Sequence, residues 1–346
     1  VVASPEILGG HAVEASLLAS ALRAEGVQVG FVPVDPRLPR ALAWVRRIRY
    51  LRTLVNQALY LPSLARVGGA DVVHVFSASY WSFLLGPAPA LLAARVLRKR
   101  AILNYHSGEA EDHLGRWGPL VHPWLRLAHE IVVPSEYLRG VFERYGLPAR
   151  VVPNVVDLSR YLFREREPLR AELLTTRNLE PHYRVEDSIR ALELLRARHP
   201  QARLTVVGYG SQEAVLRRLA GRLPSGAVRF LGRVQPEAMP RVYDEADVFV
   251  NASVVDNQPL SILEAFAAGC PVVTTGPGDI PNMLARGRGL VVPERDPAAL
   301  AAAVASLLER PSRARELARR AREHVEAHTW NQVRPRWAAV YAGRTS

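Results

Sequence analysis

Asp256-Asn257-Gln258-Pro259-Leu260-Ser261-Ile262-Leu263-Glu264-Ala265-Phe266 runs without a break into Ala267-Ala268-Gly269-Cys270-Pro271-Val272-Val273. Short apolar runs at 248–250 and 272–274 read as buried strands on either side of this block. From Pro259 onward the chain reads as a helix start, because a proline N–H is dispensable in the first turn. Strand, loop, helix and strand in that order form one βα unit of a parallel sheet covered on both faces. Asp256 then falls in the loop ahead of the helix, where free backbone N–H groups favour anions. Glu264 follows about one and a half turns in, facing the same edge. One carboxylate could accept hydrogen bonds from a sugar and the other from a ribose, with nearby amides facing phosphate. Two acids alone read better as an N-capping aspartate and a solvated helix glutamate.

The same alternation extends in both directions. Upstream within this series, strands are expected at 173–176, 204–207 and 228–231, and downstream at 290–292. Two long Ala/Leu/Arg helices and a last helix from Thr329-Trp330 close the chain. An earlier series begins at Val1-Val2-Ala3, passes Gly9-Gly10 into a helix over 11–25, and continues with β-rich runs at 27–34, 72–76, 101–105, 131–133 and 150–152. The Arg/Glu-rich stretch 157–170, closed by Pro168, has little apolar periodicity and reads as a linker. The expected class is therefore α/β, with two Rossmann-like domains facing each other across a cleft. Their expected bounds are 1–157 and 173–328, joined by a linker at 158–172. The helix over 329–346 is expected to cross back to the first domain.

Composition bounds the function. A chain of 346 residues suits two domains rather than one core. The lone Cys270 sits in an apolar run and cannot form an internal disulfide, so a reducing, cytoplasmic setting is expected. The chain opens with Val1 rather than Met, so its natural start is expected to lie upstream. No apolar run reaches the ~18 residues of a membrane span. The formal net charge is +12, yet Lys99 is the one lysine and arginine supplies the rest. That bias, without any nucleic-acid module, argues against a nucleic-acid partner.

The central block resembles the Glu-x7-Glu motif of glycosyltransferase family 4, with Asp256 in place of the first Glu. Gly276-Pro277-Gly278-Asp279-Ile280-Pro281 resembles the family's G-G-x-P turn, and Pro153-Asn154-Val155-Val156-Asp157 its P-N-G-V-D segment. Val207-Gly208-Tyr209-Gly210 is similar to its V-G-x-G loop, and Phe230-Leu231-Gly232-Arg233-Val234 to its F-L-G-x-V strand end. Each motif is weak, but the ordered set covers nearly the whole chain. The resemblance implies the GT-B architecture and a retaining transfer from a nucleotide-diphosphate sugar to a sugar, glycan or lipid-linked acceptor. It implies catalytic roles for Arg177, His106 and Asp256. Glu264 would hold the ribose, and Asp256 the sugar around its 3- and 4-hydroxyls. Gly9, Gly10, Asn154 and Gly208 would also lie at the donor, as would Arg233, Val234, Gln258 and Leu260. Arg177 fits the family's phosphate-gripping arginine, since a guanidinium binds a diphosphate bidentately and offsets charge on the leaving group.

Departures from the pattern matter. The family's Lys-Gly-Val reads Tyr183-Arg184-Val185, so Arg184 is either a displaced phosphate cation or an ordinary helix-face arginine. Pro259 replaces a glycine and removes one backbone donor, and Val155 replaces the glycine of N-G-V-D. Gly9-Gly10 opens a helix toward the diphosphate or forms a tight turn with no ligand. A lone histidine such as His106 is usually structural, so its position after a strand is what supports it.

Other chemistries are excluded. The loop 106–113 has no zinc or calcium spacing, Asp-x-Asp is absent, and neither a cofactor nor a catalytic metal is expected. Glu213 stands where a dinucleotide fingerprint needs its third glycine. The segment 41–61 carries Trp44, Ile48, Leu51, Val55 and Ala58 on one helical stripe beside Arg46 and Arg49. It suits an anionic membrane surface, a core-packed helix or an acceptor wall. Rivals to a transferase are a sugar-nucleotide epimerase or hydrolase, and a degenerate homologue that only binds donor.

Overall fold

The computed structural model describes residues 1–2, 10–36, 44–45, 48–77 and 79–344. The chain divides into two compact units, one of Val1–Pro153 with Arg334–Ser346 and one of Asn154–Val333.

In the first unit, β1 (Val72–Ser77), β2 (Arg100–Tyr105), β3 (Glu130–Val133) and β4 (Arg150–Val151) lie side by side in sequence order, all parallel. Their near-continuous apolar runs suit strands covered on both faces. Val75, Leu103 and Val133 are fully buried, with Phe83, Leu91 and Phe142 from the covering helices. Ser135 caps the helix Glu136–Arg144 by accepting from the Leu138 amide at 3.2 Å, which satisfies one of the donors a helix start leaves free.

Of the expected strand at 27–34, a single bridge is formed among the described residues. Val2 and Pro33 form an isolated parallel bridge, held by Val2 N to Val32 O and Val34 N to Val2 O. Pro33 has no N–H to extend the ladder, which confines the pairing. The helix expected over 11–25 runs Gly10–Ala24. From Arg334 onward the last helix, Trp330–Ala342, belongs to this first unit. There Trp337 packs on His74, Tyr341 bonds His74 Nδ1 at 3.0 Å, and Arg100 donates to the Val340 carbonyl.

The second unit holds β5 (Glu172–Thr176), β6 (Arg203–Val207), β7 (Val228–Gly232), β8 (Val248–Asn251), β9 (Val272–Thr274) and β10 (Leu290–Val291). The parallel order is β10-β9-β8-β5-β6-β7, the doubly wound arrangement. The chain builds outward from β5 on one side, then returns to build from β8 on the other. The crevice where the strand order reverses therefore opens at the carboxyl ends of β5 and β8. Asp296 caps the helix Pro297–Leu308 through the Ala299 amide at 2.9 Å, with Pro297 at the tolerated first position.

The polar stretch expected as a linker is packed on this second unit. Arg166 is 2% exposed and donates to the carbonyls of Ala246, Ala268, Tyr243 and Arg164 at 2.7 to 3.0 Å. Tyr161 is also buried. An arginine that satisfies several buried carbonyls leaves no apolar period to read, because its role is polar staking rather than core filling.

Candidate active site

Arg177 follows β5 directly, and Asp256 lies in the loop after β8, so the two meet where the strand order reverses. The Arg177 guanidinium donates to the Asp256 carboxylate and, through Nε, to Asn251 Oδ1 at 3.0 Å. Asn251, the last residue of β8, is itself fixed by Ser253 Oγ at 2.7 Å and by its own Nδ2 on Thr274 Oγ1 at 3.0 Å. The Arg177 and Asp256 side chains are only 10% and 11% exposed. Burial pushes the Asp256 carboxyl up, and Arg177 with the Asn257 amide pulls it back. The Arg177 guanidinium also lies over the Tyr183 ring, 5.4 Å from its centre. A buried ion pair of this kind is weak support for stability.

Glu264 lies in the helix Leu260–Ala267, behind the N-capping Pro259. Its carboxylate is held from both sides, with Tyr161 Oη donating to Oε1 at 2.8 Å and Tyr243 Oη to Oε2 at 2.9 Å. Burial raises the Glu264 carboxyl, while the two phenol bonds lower it. Burial and the adjacent carboxylate push both phenols up, so they remain protonated donors. Thr176, the residue before Arg177, lies 3.1 Å from the Tyr243 hydroxyl. Glu264 and Arg177 are thus joined through Tyr243 and Thr176. Sequence reasoning missed both tyrosines. Tyr161 sits in the supposed linker and Tyr243 in the short helix Met239–Glu245, and neither belongs to a motif.

The glycine loops work by close backbone approach rather than by a dinucleotide fingerprint. Gly208 has φ 140°, and a Cβ there would stand 1.9 Å from the Arg177 carbonyl oxygen. Backbone bonds Arg177 N to Val207 O and Leu179 N to Tyr209 O lock the two loops together. Gly278, at φ 62°, likewise leaves room for the Asp256 carbonyl, which a Cβ would meet at 2.3 Å. Arg233 stacks over the Tyr209 ring at 4.2 Å, and Val234 and Leu260 pack against the core.

Asn154 and Gln258 are brought together, with Asn154 N on Gln258 Oε1 at 2.9 Å and Asn154 Nδ2 on the Gln258 carbonyl at 2.8 Å. They therefore tie the P-N-V-V-D segment to the Asp256 loop. Arg184 ends the short turn Pro181–Tyr183 and starts the next helix. It adopts the left-handed backbone (φ 48°) in the position of the family's glycine, and its guanidinium grips Asp187 at 2.9 and 3.0 Å and Glu186 at 2.9 Å. Those acids occupy the first turn of the helix Val185–Arg196, next to the arginine that precedes it.

In the first unit, Gly10 opens its helix, while Gly9 lies outside the described residues. His106 follows β2, with its ring nitrogens on Glu14 Oε2 and Asn104 Oδ1. His113 is turned inward, 2.9 Å from the Tyr105 hydroxyl. Among the described residues no group of three or more His, Cys, Asp or Glu could hold a metal ion. The expected stripe on 41–61 falls partly outside the described residues. The helix Arg49–Ser63 instead presents Tyr50, Leu54, Ala58 and Leu61 outward and buries Tyr60.

Two parallel α/β units, one with an arginine and two carboxylates set at its strand-order reversal, define the GT-B class of sugar-transferring enzymes. Residues 8–160 match the profile described as Glycosyltransferase Family 4, and residues 170–310 that described as Glycosyl transferases group 1. The chain belongs to this glycosyltransferase family and is a hexosyltransferase that uses a nucleotide sugar. It is 31% identical over 340 residues to a glycogen synthase of Mycobacterium tuberculosis, covering 92% of this chain and 80% of that one. It is 27% identical to a phosphatidyl-myo-inositol mannosyltransferase of Mycolicibacterium smegmatis, over 79% of this chain and 71% of that one. In fold it is similar to the sucrose-phosphate synthase of Thermosynechococcus elongatus, with TM-score 0.72, 20% identity and coverage of 99% and 94%. It also resembles Anabaena HepE solved with UDP-glucose, with TM-score 0.70, 16% identity and coverage of 94% and 89%.

Proposed function

We propose that the chain transfers a hexose from a nucleotide-diphosphate sugar, with retention and without a metal, to a glycan, lipid-linked or small-molecule acceptor. The Arg177–Asp256 pair carries this reading. An arriving diphosphate can take over the Arg177 guanidinium bidentately, which frees Asp256 to accept from sugar hydroxyls. Arg177 then offsets the negative charge that builds on the departing phosphate. Glu264, oriented by two phenols, keeps lone pairs for the ribose hydroxyls. In a retaining course the new bond forms on the face the phosphate leaves, and a phosphate oxygen takes the acceptor proton. No dedicated protein base is then needed.

UDP-glucose and GDP-mannose are the first donors to try, since the names of similar proteins print them. Titration calorimetry in EDTA with UDP-glucose, GDP-mannose and ADP-glucose is expected to give binding by one of the three. Glu264→Ala should weaken that binding by roughly 10- to 150-fold, the loss of a charge-assisted hydrogen bond of about 1.5 to 3 kcal/mol. Unchanged affinity in the variant, or binding that requires added Mg or Mn, overturns the assignment. Free sugar or an epimer as the main product would favour the hydrolase or epimerase reading.

A second observation favours peripheral contact with an anionic membrane at its inner face. No helix among the described residues is long and apolar enough to cross a bilayer. The helix Arg49–Ser63 nevertheless leaves Tyr50 79% and Leu54 67% exposed, with Arg52 beside them. An apolar face with flanking arginines suits an interfacial helix. Pelleting with vesicles should require anionic lipid and weaken as salt rises, each arginine contributing about 1 kcal/mol. Changing Arg46, Arg47, Arg49 and Arg52 to glutamine should release the protein and leave donor binding intact. Equal pelleting with neutral vesicles, or none with either kind, rules the contact out.

A further inference from the structure

Glu14 is a buried carboxylate, 5% exposed on the helix Gly10–Ala24. Its Oε2 lies 3.1 Å from His106 Nδ1. The other ring nitrogen, Nε2, lies 2.6 Å from Asn104 Oδ1. Asn104 is 1% exposed, and its Nδ2 has no partner among the described residues. Burial pushes the Glu14 carboxyl up to about 8.

Both ring nitrogens of His106 therefore face oxygen. An imidazole so placed must carry two protons, or one of its own and one lent by an acid. The choices are an imidazolium beside a carboxylate, or a neutral imidazole accepting from a carboxylic acid. Either way one proton lies between Glu14 Oε2 and His106 Nδ1, and the buried pair is neutral overall. Turning the Asn104 amide would instead allow a neutral imidazole beside a bare carboxylate, a net negative charge that burial of the pair makes costly. From β1 the neighbour of His106 is the Phe76 ring at 6.0 Å, with His74 stacked behind it at 4.7 Å. Burial pushes His74 down to about 3, so it brings no charge.

We propose that Glu14 is the positioning residue for His106, the two sharing one proton so that Nε2–H is held as a hydrogen-bond donor for a donor-sugar hydroxyl. This rests on the reading of the chain as a sugar transferase with His106 at the sugar. During turnover the shared proton stays on the pair. Nε2–H exchanges Asn104 Oδ1 for the sugar oxygen, and no bond of the pair is made or broken.

The test follows the ring nitrogens of His106 by 15N NMR against pH, with the signal assigned through His106→Asn. Wild type is compared with Glu14→Gln and Glu14→Asp. The ring midpoint in Glu14→Gln is expected to fall by at least about one pH unit, the usual effect of losing an adjacent carboxylate, with Glu14→Asp in between. Donor affinity should stay within about threefold, while kcat falls by about tenfold or more in Glu14→Gln and recovers in part in Glu14→Asp. Equal ring titration in wild type and Glu14→Gln overturns the pairing, and an unchanged kcat overturns the positioning role. A ring shift in a wild-type chain that transfers no sugar leaves the pairing standing and defeats the transferase reading instead.

Discussion

Arg177→Gln is expected to lower sugar transfer by roughly 10²- to 10³-fold, the usual cost of removing one preorganised donor to transition-state charge. The loss should fall more on kcat than on donor affinity, because charge on the leaving phosphate is greatest in the transition state. The variant also leaves the Asp256 carboxylate without its cation, in a place where burial already raises it. Its folded pKa then lies further above the unfolded value of about 3.9. Between those two values the folded state binds more protons than the unfolded, so stability rises as pH falls. Arg177→Gln should therefore gain stability on acidification from pH 7 toward 5, relative to wild type. Denaturant unfolding at several pH values and steady-state kinetics together check this. Transfer within threefold of wild type would remove Arg177 from the phosphate site.

Arg166→Ala is expected to cost the second unit about 3 to 5 kcal/mol, the range for breaking a buried, fully bonded charge. Four backbone carbonyls each lose the guanidinium as a donor, and Asp247, which is fully buried, loses it 4.0 Å away. Arg164 and Arg170 remain on Asp247 at 3.3 and 3.0 Å, which keeps the loss from being larger. For a unit of this size the calorimetric transition should move down by roughly 6 to 20 °C. Donor affinity should weaken too, since Arg166 holds the Tyr243 carbonyl and the Tyr243 phenol holds Glu264. A transition within 2 °C of wild type would mean that the segment 157–170 is a passive connector after all.

Much of the fold was legible in the sequence because its strands are parallel and covered on both faces. Such strands appear as compact apolar runs, and every run assigned to the second unit is a strand of its sheet. Among the described residues the run 27–34 pairs through a single bridge at Pro33, and apolar content cannot report the missing donor there. The segment 157–170 is illegible for a different reason. It is fixed by Arg166 and by the Tyr161 hydroxyl, and polar staking has no period.

The sequence by itself determined the two α/β series, the placement of Asp256 before a helix and of Glu264 within it, and the family, since these follow from local order along the chain. It also located Arg177 at the end of a strand. Only the tertiary structure decided which charges face one another. It joined Arg177 to Asp256, paired Arg184 with Asp187 and Glu186, and placed Tyr161 and Tyr243 on either side of Glu264. Strand order is the physical reason. β5 and β8 are neighbours although more than seventy residues separate them, so the residues that follow each strand converge at one edge, where no local pattern along the chain could pair them.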